Sequence, residues 1–191
     1  TAFTEDLCAS GGYWIAQGAD EIIAHPSSVV GSIGVITAGF GLQDAIAKLG
    51  IERRVHTKGS SKGMLDPFQP EKPADLAHLD ELQQDLYDSF KDMVRLRRGT
   101  KLKGEEEELF SGAVWTGKRA LEKGLVDGLG ELRGVMRERY GEDVRFRRYG
   151  PKRSLWQRLR RGTDLAGGAP SFAHSLIAAI EERLLWNRFG L

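Results

Sequence analysis

The sequence predicts an α/β fold, and three observations carry that prediction. Short apolar segments that favour strands alternate along the chain with amphipathic segments that favour helices, as in βαβ-type units. Glycine is abundant, with 24 residues among 191, and the glycines stand singly or in pairs at the ends of apolar runs, where tight turns need them. Hydrophobic residues make up 40% of the chain, which is enough for a folded core.

The first part of the chain is predicted to alternate strands with short helices. Residues 1–9 favour a strand that runs into a turn, and residues 13–17 favour a short helix. Apolar residues 21–24 and 29–36 favour two further strands. Residues 43–49 favour a helix, because an amphipathic run is followed by a glycine in the position that commonly ends helices.

The strongest helical pattern covers residues 74–98. Its apolar residues recur three or four positions apart and are Leu76, Leu79, Leu82, Leu86, Phe90, Met93 and Val94. Acidic residues dominate its first half and three arginines its last turn, which suits the helix dipole. The remaining predicted elements are an edge strand over 52–57, a loop over 58–63, helices over 105–108, 118–123 and 131–140, and a final strand over 144–146.

Charge and cysteine content exclude several classes of protein. Lysine and arginine total 28 against 27 aspartates and glutamates, and so balanced a chain is not typical of a nucleic-acid binder. The single cysteine, Cys8, excludes an internal disulfide and a cysteine-rich zinc site. No run of 18 apolar residues is present, so the sequence predicts no membrane-spanning helix.

The basic residues are unevenly distributed. Eight of them, and no acid, lie between Arg145 and Arg161, which leaves 20 basic and 27 acidic residues elsewhere. Such a segment is ordinarily a solvated linker, while contact with anionic lipid or with nucleic-acid phosphates remains an alternative. Residues 162–170 are rich in glycine and alanine, and residues 172–185 favour an amphipathic C-terminal helix that packs on protein rather than in lipid.

Ser10 is a candidate nucleophile because of where it stands. It follows an apolar strand, precedes Gly11 and Gly12, and begins a helix, whose positive end favours a developing negative charge. Glycines let a carbonyl approach the backbone closely, and loss of one oxyanion donor such as the Gly11 amide costs roughly 2.7–4 kcal/mol in serine hydrolases. The alternative is an ordinary helix N-cap, which the spacing alone favours.

A nucleophilic serine also needs a base. The four histidines, His25, His56, His78 and His174, have no acidic partner at an informative spacing, so a Ser-His-Asp triad stays open. The other candidate is Lys62, which would be neutral if apolar groups from the following segment covered it. Sequence alone favours the ordinary alternative, a solvated lysine.

Four groups of residues, in the same order along the chain, resemble the signal peptide peptidase A family. These are 9–16 with 19–22, 31–36, Ser61-Lys62 with Pro67-Phe68, and 115–120 with 124–127. Residues 145–191, with 149–155 as their clearest part, are similar to the short bacterial branch of that family. Four ordered motifs spread over residues 9–127 are a far more specific signal than any one of them.

The resemblance implies a Clp protease/crotonase-like fold of ββα units and a Ser-Lys dyad. The family's nucleophile matches Ser10, its general base Lys62, and its lysine-orienting serine Ser32, which is otherwise a turn residue. Gly11 matches the oxyanion donor. The resemblance implies neither a metal nor an organic cofactor, and it implies a homo-oligomer with sites near subunit boundaries.

The activity implied is that of a serine endopeptidase acting through an acyl-enzyme. Its expected substrates are signal-peptide remnants and other unfolded or membrane-derived peptides, and its expected location is the bacterial cytoplasm or the cytoplasmic membrane surface. Two alternatives remain: an acyl-CoA enzyme of the crotonase type, and a non-catalytic ring scaffold at the membrane. Replacing Ser10 separates the peptidase from the scaffold, and binding of coenzyme A would favour the crotonase type.

The sequence departs from the family at one point. The family carries an upstream strand and an Asn-Ser-Pro-Gly-Gly-like turn that supplies a second oxyanion donor, and no such turn is present in this chain. We therefore expect residues 1–150 to be the C-terminal part of a catalytic domain that lacks its N-terminal strands. Residues 151–191 are expected to form a basic linker and a helical tail.

Overall fold

The computed structural model of the chain describes residues 1–59, 61–147 and 149–150. Contacts divide the chain into two compact units, Thr1–Leu132 and Arg133–Leu191. The division expected at residue 150 stays a prediction. The basic linker beyond Gly150 and the C-terminal helix lie outside the described residues, as does His174.

The described elements follow the expected alternation of strands and helices. The strands are β1 (Ala2–Thr4), β2 (Leu7–Ala9), β3 (Ile22–Ala24), β4 (Val29–Gly31), β5 (Val114–Thr116) and β6 (Gly128–Leu129). The helices are α1 (Gly11–Ala16), α2 (Gln43–Lys48), α3 (Pro73–Arg98), α4 (Glu106–Leu109), α5 (Gly117–Glu122) and α6 (Leu132–Tyr140), with a 3₁₀ turn at Gly99–Lys101.

The strands form two three-stranded sheets. The first has the order β1-β3-β6 and is parallel throughout. In the second, of order β2-β4-β5, β2 and β4 are parallel and β5 is antiparallel to β4. Consecutive strands therefore enter different sheets before the chain turns into a helix, as in β1-β2-α1. This arrangement confirms the predicted α/β class and its ββα units.

One hydrophobic core joins both sheets to the helices of the first unit. Ile22 and Ala24 enter it from the first sheet, and Val30 and Trp115 enter it from the second. Helix α3 contributes Phe90 and Val94 near its C-terminal end, and the Phe90 ring lies 4.8 Å from the ring of Trp14 on α1. The helix that begins after Ser10 is thus packed against the end of the longest helix.

Several boundaries differ from the sequence prediction. Residues 1–9 form two strands rather than one, because the buried Ser28 hydroxyl donates to the carbonyls of Thr4 and Glu5 and turns the chain between them. The strand expected over 29–36 ends at Gly31, where φ becomes positive. Strands β5 and β6, of three and two residues, were not predicted. Such short segments show no period of two, and the equally short β1 to β4 were predicted because each lies within a longer predicted segment.

Two predicted strands are wrong. Residues 52–57 are exposed and form no regular element, and residues 144–146 pair with no described strand. The first segment makes its contacts through side chains instead: Arg53 pairs with Asp66, and Arg54 pairs with Glu52. The described contacts of this segment therefore join side chains and do not pair it with a strand.

Helix α3 confirms the strongest prediction, and Gly99 ends it with a φ of 49°. Its apolar face is only partly buried, however. Leu76, Leu82 and Leu86 are exposed, because the core of this chain reaches the helix only in its C-terminal half. Within the described part of the chain, no helix is both long and apolar enough to cross a membrane.

Candidate active site

The candidate site lies at the carboxyl ends of β2 and β4. These strands are parallel neighbours, with Ala9 opposite Gly31, so the next residues, Ser10 and Ser32, emerge side by side at one sheet edge. The Ser10 amide donates to the Gly31 carbonyl at 2.8 Å, which extends the pairing by one step. The carboxyl edge of parallel strands is where α/β proteins commonly place their reactive groups.

Ser10 has a strained backbone. Its φ of 51° and ψ of −124° lie in a region that non-glycine residues rarely occupy, at a cost on the order of 1–3 kcal/mol. A serine on a sharp, strained strand-to-helix turn is the local geometry of a nucleophile elbow. The Ser10 hydroxyl makes no capping hydrogen bond to α1, so the structure does not support the N-cap alternative.

The backbone beside Ser10 is open. Gly11 and Gly12 are exposed, and a Cβ built on either would meet no atom of the described structure within 4 Å. The side-chain position of each glycine is therefore open. In nucleophile elbows, the amide that follows the nucleophile is one of the oxyanion donors.

Ser32 is held in place by the segment around Ala113 and Trp115. Sequence analysis did not indicate this role. Gly31 and Ser32 have φ values of 117° and 52°, and the Ser32 amide donates to the Ala113 carbonyl at 2.7 Å. A Cβ on Gly31 would lie 2.8 Å from that carbonyl and 2.8 Å from the Trp115 ring. The signal available in the sequence was that Gly31 and Trp115 both stand in the motifs that carry the resemblance. The structure shows that these two residues are in close contact.

Lys62 lies in the exposed environment that sequence alone favoured. It occupies a turn over residues 61–65, where its amide donates to the Gly59 carbonyl at 3.3 Å and its stem packs near Gly59. Its side chain is exposed rather than covered by the following apolar residues. The described part of this chain therefore does not supply the cover that a neutral lysine requires.

The described histidines have neighbours of their own. His25 Nδ1 and the Ser27 hydroxyl share a hydrogen bond of 2.7 Å. His78 lies 3.6 Å from Glu81 on the exposed side of α3, and His56 is exposed. None of these contacts involves Ser10. Among the described residues, no three histidine, cysteine or acidic side chains are grouped closely enough to hold a metal ion.

Cys8 stands two residues before Ser10 on β2, but its environment is apolar. Burial raises the pKa of the Cys8 thiol, and a hydrogen bond with Thr4 only partly offsets that effect. A thiol in such a setting stays protonated and unreactive. Cys8 therefore acts as a core residue of the sheet rather than as part of the site.

The motif at residues 124–127 forms a polar junction. The Asp127 carboxylate accepts hydrogen bonds from Arg98 at 2.7 Å, Lys101 at 2.7 Å and the Ile22 amide at 2.9 Å. Although burial pushes the pKa of Asp127 upward, these three donors outweigh it and hold the pKa well below its usual range. Sequence reasoning used this motif only for the resemblance.

A cleft of about 340 Å³ opens beside the segment that follows Ser32. It is lined by Gly34 and Val35, by residues of α3 and by the segment after α4: Asp80, Gln83, Gln84, Tyr87, Phe110 and Ser111. The lining therefore combines aromatic side chains with polar and acidic ones.

Comparison with known proteins gives the chain a family. A family model described as Peptidase family S49 matches residues 1–142. "Serine protease SPPA, chloroplastic" of Arabidopsis thaliana is 36% identical over 132 residues, which are 69% of this chain and 19% of that protein. "Putative signal peptide peptidase SppA" of Enterococcus faecium is 34% identical over 130 residues, which are 68% of this chain and 37% of that protein.

A longer match comes from Brucella abortus. A protein named "Na(+)/H(+) antiporter NhaA" is 46% identical over 196 aligned positions, a match that covers 99% of this chain but 26% of that protein. Because most of that protein lies outside the match, its name is not carried over. The chain thus spans well under half the length of all three relatives. With a family model matching residues 1–142 and the protease-named relatives above, the chain belongs to peptidase family S49, the signal peptide peptidase A family.

Proposed function

We propose that this chain carries the nucleophile of a serine endopeptidase. The observation that carries the proposal is the strained turn at Ser10, with the exposed Gly11 after it and Ser32 beside it at the sheet edge. In this proposal Ser10 attacks the peptide carbonyl, Gly11 donates to the oxyanion and Lys62 is the general base. Ser32 orients the lysine.

The chemistry follows from these roles. The neutral Lys62 amine takes the Ser10 hydroxyl proton while the Ser10 oxygen bonds to the peptide carbonyl carbon. The resulting oxyanion is stabilised by the Gly11 amide, and the protonated lysine gives its proton to the leaving amine as the C–N bond breaks. Water, deprotonated by the same lysine, then hydrolyses the acyl-enzyme and restores the Ser10 hydroxyl.

The proposal includes a homo-oligomer with sites near subunit boundaries. Lys62 is exposed, so a neighbouring copy is a ready source of the cover that a neutral lysine needs. Several large apolar side chains of the described chain are also exposed to solvent, among them Ile36, Phe40, Leu49, Ile51 and Leu86. Groups of exposed apolar residues commonly mark protein interfaces.

The proposed substrates are unfolded or membrane-derived peptides, with signal-peptide remnants as the leading class. The name of the Enterococcus relative, a putative signal peptide peptidase, supports this class. The cleft lined by Gly34, Tyr87 and Phe110 supports it as well, because its aromatic side chains suit an apolar peptide side chain. Contact of the basic segment between Arg145 and Arg161 with anionic membranes would bring membrane-derived peptides near the candidate site.

Replacing Ser10 tests the proposal directly. In the full natural polypeptide, Ser10→Ala is expected to lower kcat on a fluorogenic signal-peptide fragment by about 10³-fold or more and to abolish covalent labelling by a fluorophosphonate. Ser89→Ala is the matched control, since Ser89 is exposed on α3 and bonds only the Asp85 carbonyl. Peptide cleavage that survives in Ser10→Ala would overturn the proposal and favour the scaffold.

Lys62 is tested by a mixing experiment. Lys62→Met is expected to abolish activity, while Lys58→Met, in the same loop, is expected to retain it. If each site joins Ser10 of one copy to Lys62 of another, mixing inactive Ser10→Ala and Lys62→Met proteins restores part of the activity. Activity that Lys62→Met leaves intact contradicts the dyad, and binding of coenzyme A in its place supports the crotonase-type alternative.

A further inference from the structure

The short helix after Ser10 needs support from outside itself. Helix α1 has six residues and begins with Gly11 and Gly12, and isolated helices this short and glycine-rich are not stable. The strained backbone of Ser10 persists only if its surroundings fix it from both sides. On the strand side, the Ser10 amide is fixed to the Gly31 carbonyl.

On the helix side, the fixing contact is made by Tyr13. Its ring is fully buried, and its hydroxyl donates to the Leu125 carbonyl at 2.7 Å. Burial raises the pKa of the Tyr13 phenol, so the phenol remains a hydrogen-bond donor at neutral pH. Tyr13 stands three residues after Ser10, which is about one helical turn away.

The segment that carries the acceptor of this bond is itself held by hydrogen bonds and close packing. Arg98 is buried and donates through Nε to the Gly124 carbonyl at 2.7 Å and through Nη1 to Asp127 at 2.7 Å. A Cβ on Gly124 would overlap the Lys101 carbonyl oxygen, so the backbone there is tightly packed. Asp127 also exchanges backbone and side-chain hydrogen bonds with Ile22 at the start of β3.

From these contacts we propose that Tyr13 is a positioning residue for Ser10: its hydroxyl, bonded to the Leu125 carbonyl, fixes the turn that presents Ser10 and the Gly11 amide to a substrate carbonyl. The inference rests on the proposed function, in which Ser10 is the nucleophile. It gives the motif at residues 124–127 a role, namely to hold the acceptor of the Tyr13 bond.

The test removes one oxygen atom. Tyr13→Phe keeps the ring and deletes the donor, and in the full natural polypeptide we expect kcat to fall about 10- to 100-fold, the effect of a small misplacement of reacting groups. KM should change by less than about twofold, because the mutation leaves the substrate contacts in place. Amide hydrogen exchange in residues 11–16 should accelerate about tenfold or more.

Two further variants separate positioning from a general loss of stability. Ser28→Ala also deletes a buried hydroxyl that donates to backbone carbonyls in the same unit, and it should keep both kcat and the slow exchange of residues 11–16. Incorporation of p-aminophenylalanine at position 13 restores an N–H donor and should recover most of kcat. If Tyr13→Phe does not fold, Asp127→Asn, which loosens the acceptor segment while keeping the phenol, should show the same kcat-specific loss.

The outcomes are distinct. Wild-type kcat in folded Tyr13→Phe, or an equal loss in Ser28→Ala, overturns the positioning role of Tyr13. Exchange of residues 11–16 that is unchanged in Tyr13→Phe also overturns it. Failure of the proposed function looks different, because then Ser10→Ala cleaves peptide like the wild type, and the exchange measurement alone decides whether Tyr13 fixes the turn.

Discussion

Backbone strain in this chain is concentrated at the candidate site. Among the described non-glycine residues, positive φ angles occur at Ser10, Ser32 and Leu65. The first two stand side by side at the ends of paired strands, and the third closes the turn that holds Lys62. Since such conformations persist only where the surrounding structure fixes them, each candidate residue depends on neighbours that do not take part in the chemistry.

Gly31 is the residue whose replacement should show this dependence most clearly. Gly31→Ala adds a methyl group against the Ala113 carbonyl and the Trp115 ring, at a φ of 117° that alanine rarely adopts. We expect the free energy of unfolding to fall by about 2–4 kcal/mol, from strain combined with overpacking. The displaced Ser32 should also lower peptidase activity.

Urea denaturation measures the first effect and peptide hydrolysis the second. Gly39→Ala is the control, because a Cβ at Gly39 meets nothing within 4 Å in the described structure and its φ is not positive. Its stability should change by less than about 0.5 kcal/mol. Equal stability of the two variants would show that the Gly31 contact with Trp115 is absent from the protein in solution.

At the scale of elements, the site depends on segments far apart in sequence. Strand β5 supplies Trp115 against Gly31, and the segment before it supplies the Ala113 carbonyl for Ser32. The junction at Asp127 ties the end of α3 to the start of β3. The group of family residues at 115–120 with 124–127 carries no candidate catalytic residue, and it contacts the segments at Gly31 and at Ile22 instead.

The Asp127 junction predicts a pH dependence of stability. Because three hydrogen-bond donors hold the folded-state pKa of Asp127 below its unfolded value of about 3.9, the carboxylate stabilises the folded state at higher pH. This contribution is complete above the unfolded pKa and is lost as pH falls through the folded-state pKa. Asp127→Asn should therefore be less stable than the wild type at pH 7, with a difference that shrinks below about pH 4.

Thermal unfolding between pH 2 and pH 7 measures this difference. Asp20→Asn is the control, since Asp20 is exposed and lies 3.8 Å from Arg97 in a surface pair, which contributes little to stability. Its unfolding temperature should follow the wild type at each pH. A gap between wild type and Asp127→Asn that is constant down to pH 2 would contradict the assigned role of the carboxylate.

At the scale of the molecule, the first unit is built around one core that belongs to both sheets. Ile22 enters it from β3 in the first sheet, and Ile33 enters it just after β4 of the second. Both side chains are buried. A single core predicts that the two sheets unfold together, because neither keeps a complete apolar face without the other.

Two alanine variants test this cooperativity. Ile22→Ala and Ile33→Ala should each lower the free energy of unfolding by about 2–5 kcal/mol, and each should shift one common transition. Hydrogen exchange of β3 and β4 is the measurement, and in each variant both strands should lose protection equally. Ile36→Ala, at an exposed position, is the control. Loss of protection in only the mutated sheet would show two independent cores.

The parts of the fold that sequence predicted well are those with a strong local cause. Helix α3 repeats its apolar residues three or four positions apart from Leu76 to Val94, and α2 is followed by Gly50, whose φ of 67° fits the glycine expected there. The strand predicted over residues 52–57 was wrong, since a segment of six residues carries no information about its pairing partner. Leu86 is exposed although it belongs to the apolar face of α3. Periodicity shows which face of a helix is apolar and not whether this chain covers that face.

For the site, the sequence by itself determined the candidates. The strand-glycine-helix context selected Ser10 and Gly11, and the ordered motifs added Ser32 and Lys62 and indicated the family. These are local or linear features, and the order of residues is sufficient to reveal them. The division of charge between an acidic body and a basic segment is likewise a property of composition alone.

Only the tertiary structure decided what holds those candidates in place. The register of Ala9 with Gly31, the Trp115 contact, the bond from Tyr13 to Leu125 and the Asp127 junction join residues 20 or more positions apart. It also decided that Lys62 is exposed. The physical reason is that strain and burial depend on which distant segments pack together, and local sequence patterns do not carry that information.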